Sequence, residues 1–534
     1  MEQTREASAQ KLAERLCWQA ARRDDSRVAR RLYRKQVVDG VDRLDEGAML
    51  DDFFHFLQAL GVMDLLADVQ GTAIQRVRVP FVPYVLRYGL KTLFGIERMN
   101  ALPAWLFSDA ALMRLVGFNA QQVRQGVCQR GAATRQGPRT AGPICPDALA
   151  ETIVKLTLRD LEALCNGVVR ALAKTGVLAA QVTGIVDATD LETTAQDEGG
   201  GQVTRNRRIT DKRGKVHEIA VPVYGWKLIV LMDAATKIPL AGKVVPIQAH
   251  EVLSMRALVT QARTNLGGHA RLPNVVFAKG FWDGVDLGWL AQHGILFVVP
   301  AKDNMAVTVD AQAQAAAGEG ITVGRRGHTV RHGQGKTAWT ERLETDVVGI
   351  TGLTTDDQYG TPEPGRHHNR RDFQPNLIHA VVVRTWKNRD YGPGGKTVFL
   401  TNASVQQPLQ PFADDDDRRL LEHCGIKERK PPWRVKHPPQ KTARAVRVHV
   451  LFTLLMFALA TAYRRPCEPE ETGGEPIGWQ RWRRQRLEQT RDLVIILAED
   501  AYGIFHIAEY SLLLGVKRKD GPPGVGSRQQ ILAT

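Results

Sequence analysis

From Gly184 to Lys302 the chain alternates short apolar, β-branched runs with helix-like ones, and this alternation is the tightest constraint on its fold. Gly184-Ile185-Val186-Asp187 ends the first run. Residues 224–233 (YGWKLIVLMD) and 238–246 (IPLAGKVVP) read as adjacent strands around a turn at Ala235-Thr236-Lys237. Residues 250–266 read as a helix, 274–280 (NVVFAKG) as a buried strand, 283–293 as a helix and 295–302 (ILFVVPAK) as a further strand. Strands interleaved with helices in this way predict an α/β core. Asp187 stands where its run ends, so its carboxylate can reach a cleft while its backbone stays pinned in a sheet.

The regions on either side differ in pattern. Residues 11–37 form a helical run with a basic face made of Arg15, Arg22, Arg23, Arg27, Arg30, Arg31 and Arg34. That face is either a solvated surface or a set of phosphate contacts. Residues 49–69 and 81–94 have helical periodicity, and 102–128 suit a helix-turn-helix-like unit. Residues 129–146 are rich in Gly, Pro and Arg and read as a linker or a loop tracking DNA. Residues 147–174 read as one long amphipathic helix leading to Asp187. Within 201–216, Arg205, Arg207, Arg208, Lys212 and Arg213 crowd around the turn Asp211-Lys212-Arg213-Gly214. A basic β-hairpin tip fits that pattern, lying along a phosphate backbone or simply solvated.

Past Lys302 the strands become short and sit among Gly, Pro and basic residues up to about Gly395, as in a β-rich insertion lacking a core of its own. Residues 397–402 (TVFLTN) return to buried-strand character, and a helix over 418–430 is stopped by Pro431-Pro432. Residues 466–476 read as a linker, and 493–514 belong to a small helical, partly basic tail.

Charge narrows the partners. With 534 residues, roughly two to four domains are expected. Lys and Arg number 72 against 57 Asp and Glu, a net charge of +15. The sequence pI is near 9.6, which favours a polyanion, most commonly nucleic acid. A membrane partner is not expected: residues 1–11 lack the apolar core of a signal peptide, and the apolar run 450–463 falls short of the roughly 20 residues of a spanning helix. It reads as a buried helix. The 6 cysteines form no CxxC pair, so neither a disulfide framework nor a zinc module is expected, and the compartment is reducing, like a bacterial cytoplasm.

Cleavage and joining of phosphodiesters uses two divalent ions held by carboxylates, since magnesium prefers hard oxygen ligands. Asp187 fits the first acid of such a set. Glu422 fits an acid on a helix: Arg418, Glu422, Ile426 and Lys430 follow one another at four-residue steps along one face. A basic residue there could hold a DNA phosphate beside the metal.

At this point a family resemblance becomes specific. The stretches DATDLETT, VVFAKGFWDG, ILFVVPAKDN and DDRRLLEHCGIKERK, followed by HPPQKTARAVRVHVLFTLL, occur in the order found in bacterial insertion-sequence transposases of the DDE class. The chain resembles the subgroup with a β-rich insertion between the second and third acids, over nearly all of residues 80–465. The resemblance implies a basic helical region at 1–80, a helical DNA-binding domain at 81–176, and a ribonuclease-H-like core in two parts, 177–302 and 397–465. The insertion lies between them at 303–396, and 466–534 forms the C-terminal tail. It further implies two Mg²⁺ (or Mn²⁺) ions on an intact acid triad, cut-and-paste movement of double-stranded DNA, and binding to terminal inverted repeats and to target DNA. A homodimer pairing two ends, in a bacterial cytoplasm and associated with the nucleoid, completes the expectation.

Site residues carry over position by position. Glu422 and Arg418 match the tyrosine–arginine–glutamate–lysine signature of the subgroup. Asp415 stands at its tyrosine and Arg429 at its lysine, with Lys430 next along. The second acid belongs immediately before Lys279-Gly280-Phe281, where the chain has Ala278. A methyl group cannot bridge two cations, and its presence is expected to cost several kcal/mol of transition-state stabilisation. The chain is therefore expected to bind DNA through Arg205, Arg207, Arg208, Lys212, Arg213, Arg418, Arg429 and Lys430 with weak or absent chemistry. A deliberate acid-to-alanine change and a degenerate copy would each give this sequence. A non-catalytic DNA-binding protein of the same fold is the alternative, and a related nuclease a more distant one.

Overall fold

The computed structural model describes residues 22–43, 48–67, 69, 81–96, 98–99, 146–195, 197, 199–210, 216–332, 338–353, 360–362, 373–375, 378–387, 396–405, 442–464 and 492–515. Two short strands, β1 (Arg22–Arg23) and β2 (Gly40–Arg43), precede the main series. That series comprises β3 (Gln181–Thr193), β4 (Gly201–Thr210), β5 (Val216–Asp233), β6 (Pro239–Pro246), β7 (Arg271–Phe277) and β8 (Leu296–Pro300). Strands β9 (Ile321–His332), β10 (Trp339–Leu353), β11 (Gly360–Pro362), β12 (Phe373–Pro375), β13 (Ile378–Lys387) and β14 (Lys396–Thr401) follow. The last pair is β15 (Leu493–Ala498) and β16 (Ala501–His506).

A ten-stranded mixed sheet runs β4-β5-β3-β7-β8-β14-β13-β10-β9, with β6 also pairing β5. β5 is antiparallel to β3, β4 and β6. β3, β7 and β8 run parallel to one another, and β14 turns the direction again. Residues 225–233 of β5 are all buried, which explains why that strand reads as a continuous apolar run instead of alternating. β9, β10 and β13 extend the same sheet through β14. The segment expected to lack its own core thus adds strands to the existing one.

Helices cover one side of the sheet. The helix Ala443–Arg464 packs on β6 and on the helices Phe81–Leu93 and Leu158–Lys174. Its 22 residues are long and apolar enough to cross a membrane, yet 89% of its most apolar window is buried inside the protein. It is a core helix, and its bounds lie within two residues of the helix expected over 441–463 around the uncharged run. Phe53 meets Tyr463 edge-on at 5.5 Å and Tyr88 meets Phe452 at 5.0 Å. The Tyr88 hydroxyl and His449 Nδ1 lie 2.9 Å apart in the same layer.

Several elements differ from the sequence expectation. In the described part of the 11–37 run only Asp25–Tyr33 is helical, and Arg22 and Arg23 form β1. Residues 303–396, expected to hold short strands, carry the helix Ala306–Ala317 and strands of 12 and 15 residues, β9 and β10. The helix over 147–174 is two, Pro146–Val154 and Leu158–Lys174, because Thr157 breaks the run and caps the second by accepting from the Asp160 amide at 3.1 Å. The 49–69 helix divides at Gly61, which takes φ 71. The described part of the C-terminal tail, 492–515, is the hairpin β15–β16 and a short helix, Ile507–Leu513, and not a purely helical piece. Its sequence LVIILA-ED-AYGIFH is two β-branched or aromatic runs around a two-residue turn, and a short apolar run cannot be told from a helix by periodicity alone.

The hairpin also pairs with the two short strands β1 and β2, far from it in sequence. A four-stranded sheet, β1-β16-β15-β2, backs onto the helix Asp25–Tyr33, with Val28, Leu32, Val494, Ile496 and Phe505 between them. The basic face of that helix is partly spent within this unit: Arg27 pairs with Asp500 at 3.0 Å and Arg31 with Glu499 at 3.1 Å. The helix-turn-helix-like stretch 102–128 lies outside the described residues.

Candidate active site

Asp187 sits in the middle of β3, six residues before that strand ends, and not at a strand terminus. β3 continues because β5 stays paired with it as far as Thr193↔Tyr224. On the other side β7 pairs with β3 only up to Val186↔Phe277. Beyond that point the two strands part, so Asp187 is the first residue of β3 beside the gap. It is 7% exposed, and the Ala188 amide donates to its Oδ1 at 2.7 Å.

Ala278 occupies the position facing this gap from the end of β7. Its amide donates to the Val186 carbonyl at 3.1 Å, continuing the parallel register by one residue and setting Ala278 beside Asp187. The two residues expected at the first and second acid positions are therefore brought together. Asp283 and Asp286, the nearest acids downstream, are occupied elsewhere. Asp283 caps the helix Gly284–Gln292 by accepting from the Asp286 amide at 2.9 Å. Asp286 pairs at 2.7 Å with Arg256, whose guanidinium lies over the Trp289 ring. Burial raises the Asp286 pKa, against the pull of Arg256.

Two groups near the gap were not singled out from sequence. Lys227, opposite Asp190 in the β3–β5 register, is nearly buried and pairs with Glu251 at 3.0 Å, while its Nζ also donates to the Ala249 carbonyl at 3.2 Å. The other oxygen of Glu251 lies so close to Gly280 that a Cβ there would be 2.3 Å from it. That approach joins residues far apart in sequence, and no local pattern announces it.

The basic hairpin exists: β4 and β5 pair from Gly201↔Gly225 to Thr210↔Val216. Its described arginines are each matched by an acid. Arg205 bonds Asp190 at 2.7 Å, Arg207 bonds Glu192 at 2.6 Å, and Arg208 bonds Glu218 at 2.9 Å. All three side chains remain exposed, so these pairs are solvent-screened and easily exchanged. Lys212 and Arg213, at the hairpin tip, lie outside the described residues, as do Arg418, Glu422, Arg429 and Lys430.

The donor set decides what this gap can hold. Asp187 supplies one carboxylate and Ala278 no donor atom. Among the described residues no group of three His, Cys, Asp or Glu side chains could hold a metal ion. These residues do not fit a two-ion centre.

Residues 179–390 match the family model described as the transposase DDE domain. The match spans β3, its partners and the added strands, and it suggests transposition as the activity class. Domains of that family generally use divalent metal ions. No curated protein matches. Among solved structures, a piggyBac transposase synaptic complex with hairpin DNA superposes over 85% of this chain and 82% of that one, at 11% identity and a TM-score of 0.35. The superposition is loose.

Proposed function

We propose that the chain is a DDE transposase of the insertion-sequence type, with a ribonuclease-H-like core, that binds the terminal inverted repeats of a mobile element. As it stands it is weak or inactive in strand cleavage and transfer. The observation that carries this reading is the pairing of Asp187 with Ala278 across the point where β3 and β7 part. The strand order β6-β5-β3-β7-β8, antiparallel through β5 and parallel from β3 to β8, supports the ribonuclease-H-like description. Ligands of open α/β sheets bind outside the carboxyl ends of the parallel strands; Ala278 follows the carboxyl end of β7, and Asp187, although within β3, is the first residue past the end of the parallel β3–β7 pairing.

In this reading the overall charge of +15 draws in DNA and the exposed hairpin arginines follow its backbone. Two copies pair two ends, in a bacterial cytoplasm. An intact triad of Asp187, an acid at 278 and Glu422 would take Mg²⁺ or Mn²⁺. The alanine removes one donor outright, so DNA binding is retained while cleavage is lost. A non-catalytic DNA-binding protein of the same fold is the second reading, and Ala278 is the residue that favours it.

Binding is tested by titrating the full chain with duplex DNA carrying the sequences that flank its coding region, at several salt concentrations. The expected result is tighter binding to the flanks than to unrelated duplex, weakening linearly in log salt. Equal affinity for both duplexes would contradict recognition of terminal repeats, and an affinity indifferent to salt would contradict DNA binding through phosphates.

A further inference from the structure

One strand beyond the Asp187–Ala278 gap, the loops that leave β7 and β8 border a shallow, solvent-open depression of about 500 Å³, lined by Lys279, Gly280, Lys302, Asp303 and Asn304. Both loops are fixed from below. The Phe281 amide donates to the Ala278 carbonyl at 3.0 Å, closing a tight turn that carries Lys279 and Gly280. Glu251 fills the space a side chain at 280 would need. On the other loop Ala301 is buried and its amide donates to the Val398 carbonyl at 2.8 Å. The Lys302 carbonyl accepts from the Met305 amide at 3.2 Å and from Thr308 Oγ1 at 2.8 Å. Two lysines therefore project from rigid backbone at the carboxyl edge of the same parallel strands.

We propose that this notch grips a phosphodiester of the DNA strand that runs past Asp187, with Lys279 and Lys302 as its cationic walls. The proposal rests on the DNA-processing reading above and adds two residues to it. Lys279 faces Asp303 at 3.6 Å, with the lysine half exposed and the aspartate 83% exposed, a loose pair that a phosphate can displace. Lysine suits the task as a flexible point charge for phosphate. The depression opens to solvent, so a continuous backbone can pass across it, and the lining carries two positive charges against one negative. Asp303 is then a brake on binding, which gives the proposal a sign that a merely structural role would not have.

The test measures duplex DNA affinity of the full chain across a salt series for K279A/K302A, for D303N and for K174A. Lys174 is an exposed lysine ending the helix that leads into the amino end of β3, so it controls for loss of bulk charge. The double variant is expected to bind about tenfold or more weakly and to lose about one unit of salt slope, at about 0.9 for the one phosphate no longer neutralised. D303N is expected to bind severalfold more tightly, K174A to stay within about twofold of the unaltered chain, and all melting temperatures to hold. A double variant that falls no further than K174A, or a D303N that binds no better, would overturn the notch while leaving DNA binding intact. Failure of the unaltered chain to bind DNA at any salt would overturn both.

Discussion

The backbone amide of Ala278 donates to the carbonyl of Val186 at 3.1 Å, and this single bond carries the β3–β7 register one residue further, placing Ala278 next to Asp187 on the neighbouring strand. The bond is backbone to backbone, so it survives any substitution at 278 short of proline. A carboxylate introduced there would start from a scaffold already in place. Ala278 is only partly buried, so a larger side chain there has access to solvent.

The hairpin arginines make a prediction with two signs. Replacing Arg205, Arg207 and Arg208 by alanine should weaken DNA binding and reduce the salt slope by up to about 0.9 for each phosphate that is no longer neutralised. Replacing their partners, as in D190N/E192Q, should do the opposite, because Arg205 and Arg207 would no longer be shared with Asp190 and Glu192. The pairs are exposed, so neither set should move stability by more than about 1 kcal/mol. A salt series and a thermal melt read both quantities, and unchanged affinity in the arginine variant would remove the hairpin from the interface.

Gly225 is the point of β5 where the strand comes too close to β3 for a side chain. Its φ is +148, and a Cβ would lie 2.1 Å from the Leu191 carbonyl oxygen. G225A should destabilise the protein by at least about 2 kcal/mol, by strain and by forcing β3 and β5 apart. The urea midpoint checks this, and a midpoint equal to that of the unaltered chain would show that this close approach tolerates a side chain.

Buried charge on the helix Phe81–Leu93 sets a pH dependence. Burial lowers Lys91 to about 8 and Arg87 to about 9, and raises the Tyr88 hydroxyl above its ordinary value of 10.0. Between about pH 8 and 10 the unfolded chain binds more protons at Lys91 and Arg87 than the folded one, so stability should rise with pH through that window. Above 10 the folded chain keeps the Tyr88 proton that the unfolded chain loses, which offsets the continuing Arg87 contribution, and the rise should level off. K91M should raise stability below pH 8 by up to about 3 kcal/mol and flatten the rising limb. Melting temperatures across pH 7–11 read this directly, and a curve that falls from pH 8 to 10 would contradict it.

Much of the core was legible because it is written locally. The runs around Asp187, Val230, Val276 and Val298 are β-branched, short and bounded by turns, and each became a strand. Asp187 and Ala278 were readable as a pair because both lie in motifs whose order follows the strand order. What sequence hid was whatever depends on distant residues meeting. The Lys227–Glu251 pair joins two segments that no spacing connects, and the acids that meet Arg205 and Arg207 come from a different strand. The tail around Val494 and Phe505 read as helical because its pairing strands, near Arg22 and Val41, lie at the opposite end of the chain.

The central claim is that Ala278 occupies the place of a missing acid beside Asp187. Its most direct test is Mg²⁺-dependent nicking of a supercoiled plasmid carrying the DNA that flanks the coding sequence, comparing the chain as it stands with A278D. A278D is expected to cut at least about a hundredfold faster, and D187N in the A278D background to return cleavage to the starting level. A278D that folds, binds the same DNA and cuts no faster than the unaltered chain would contradict the assignment.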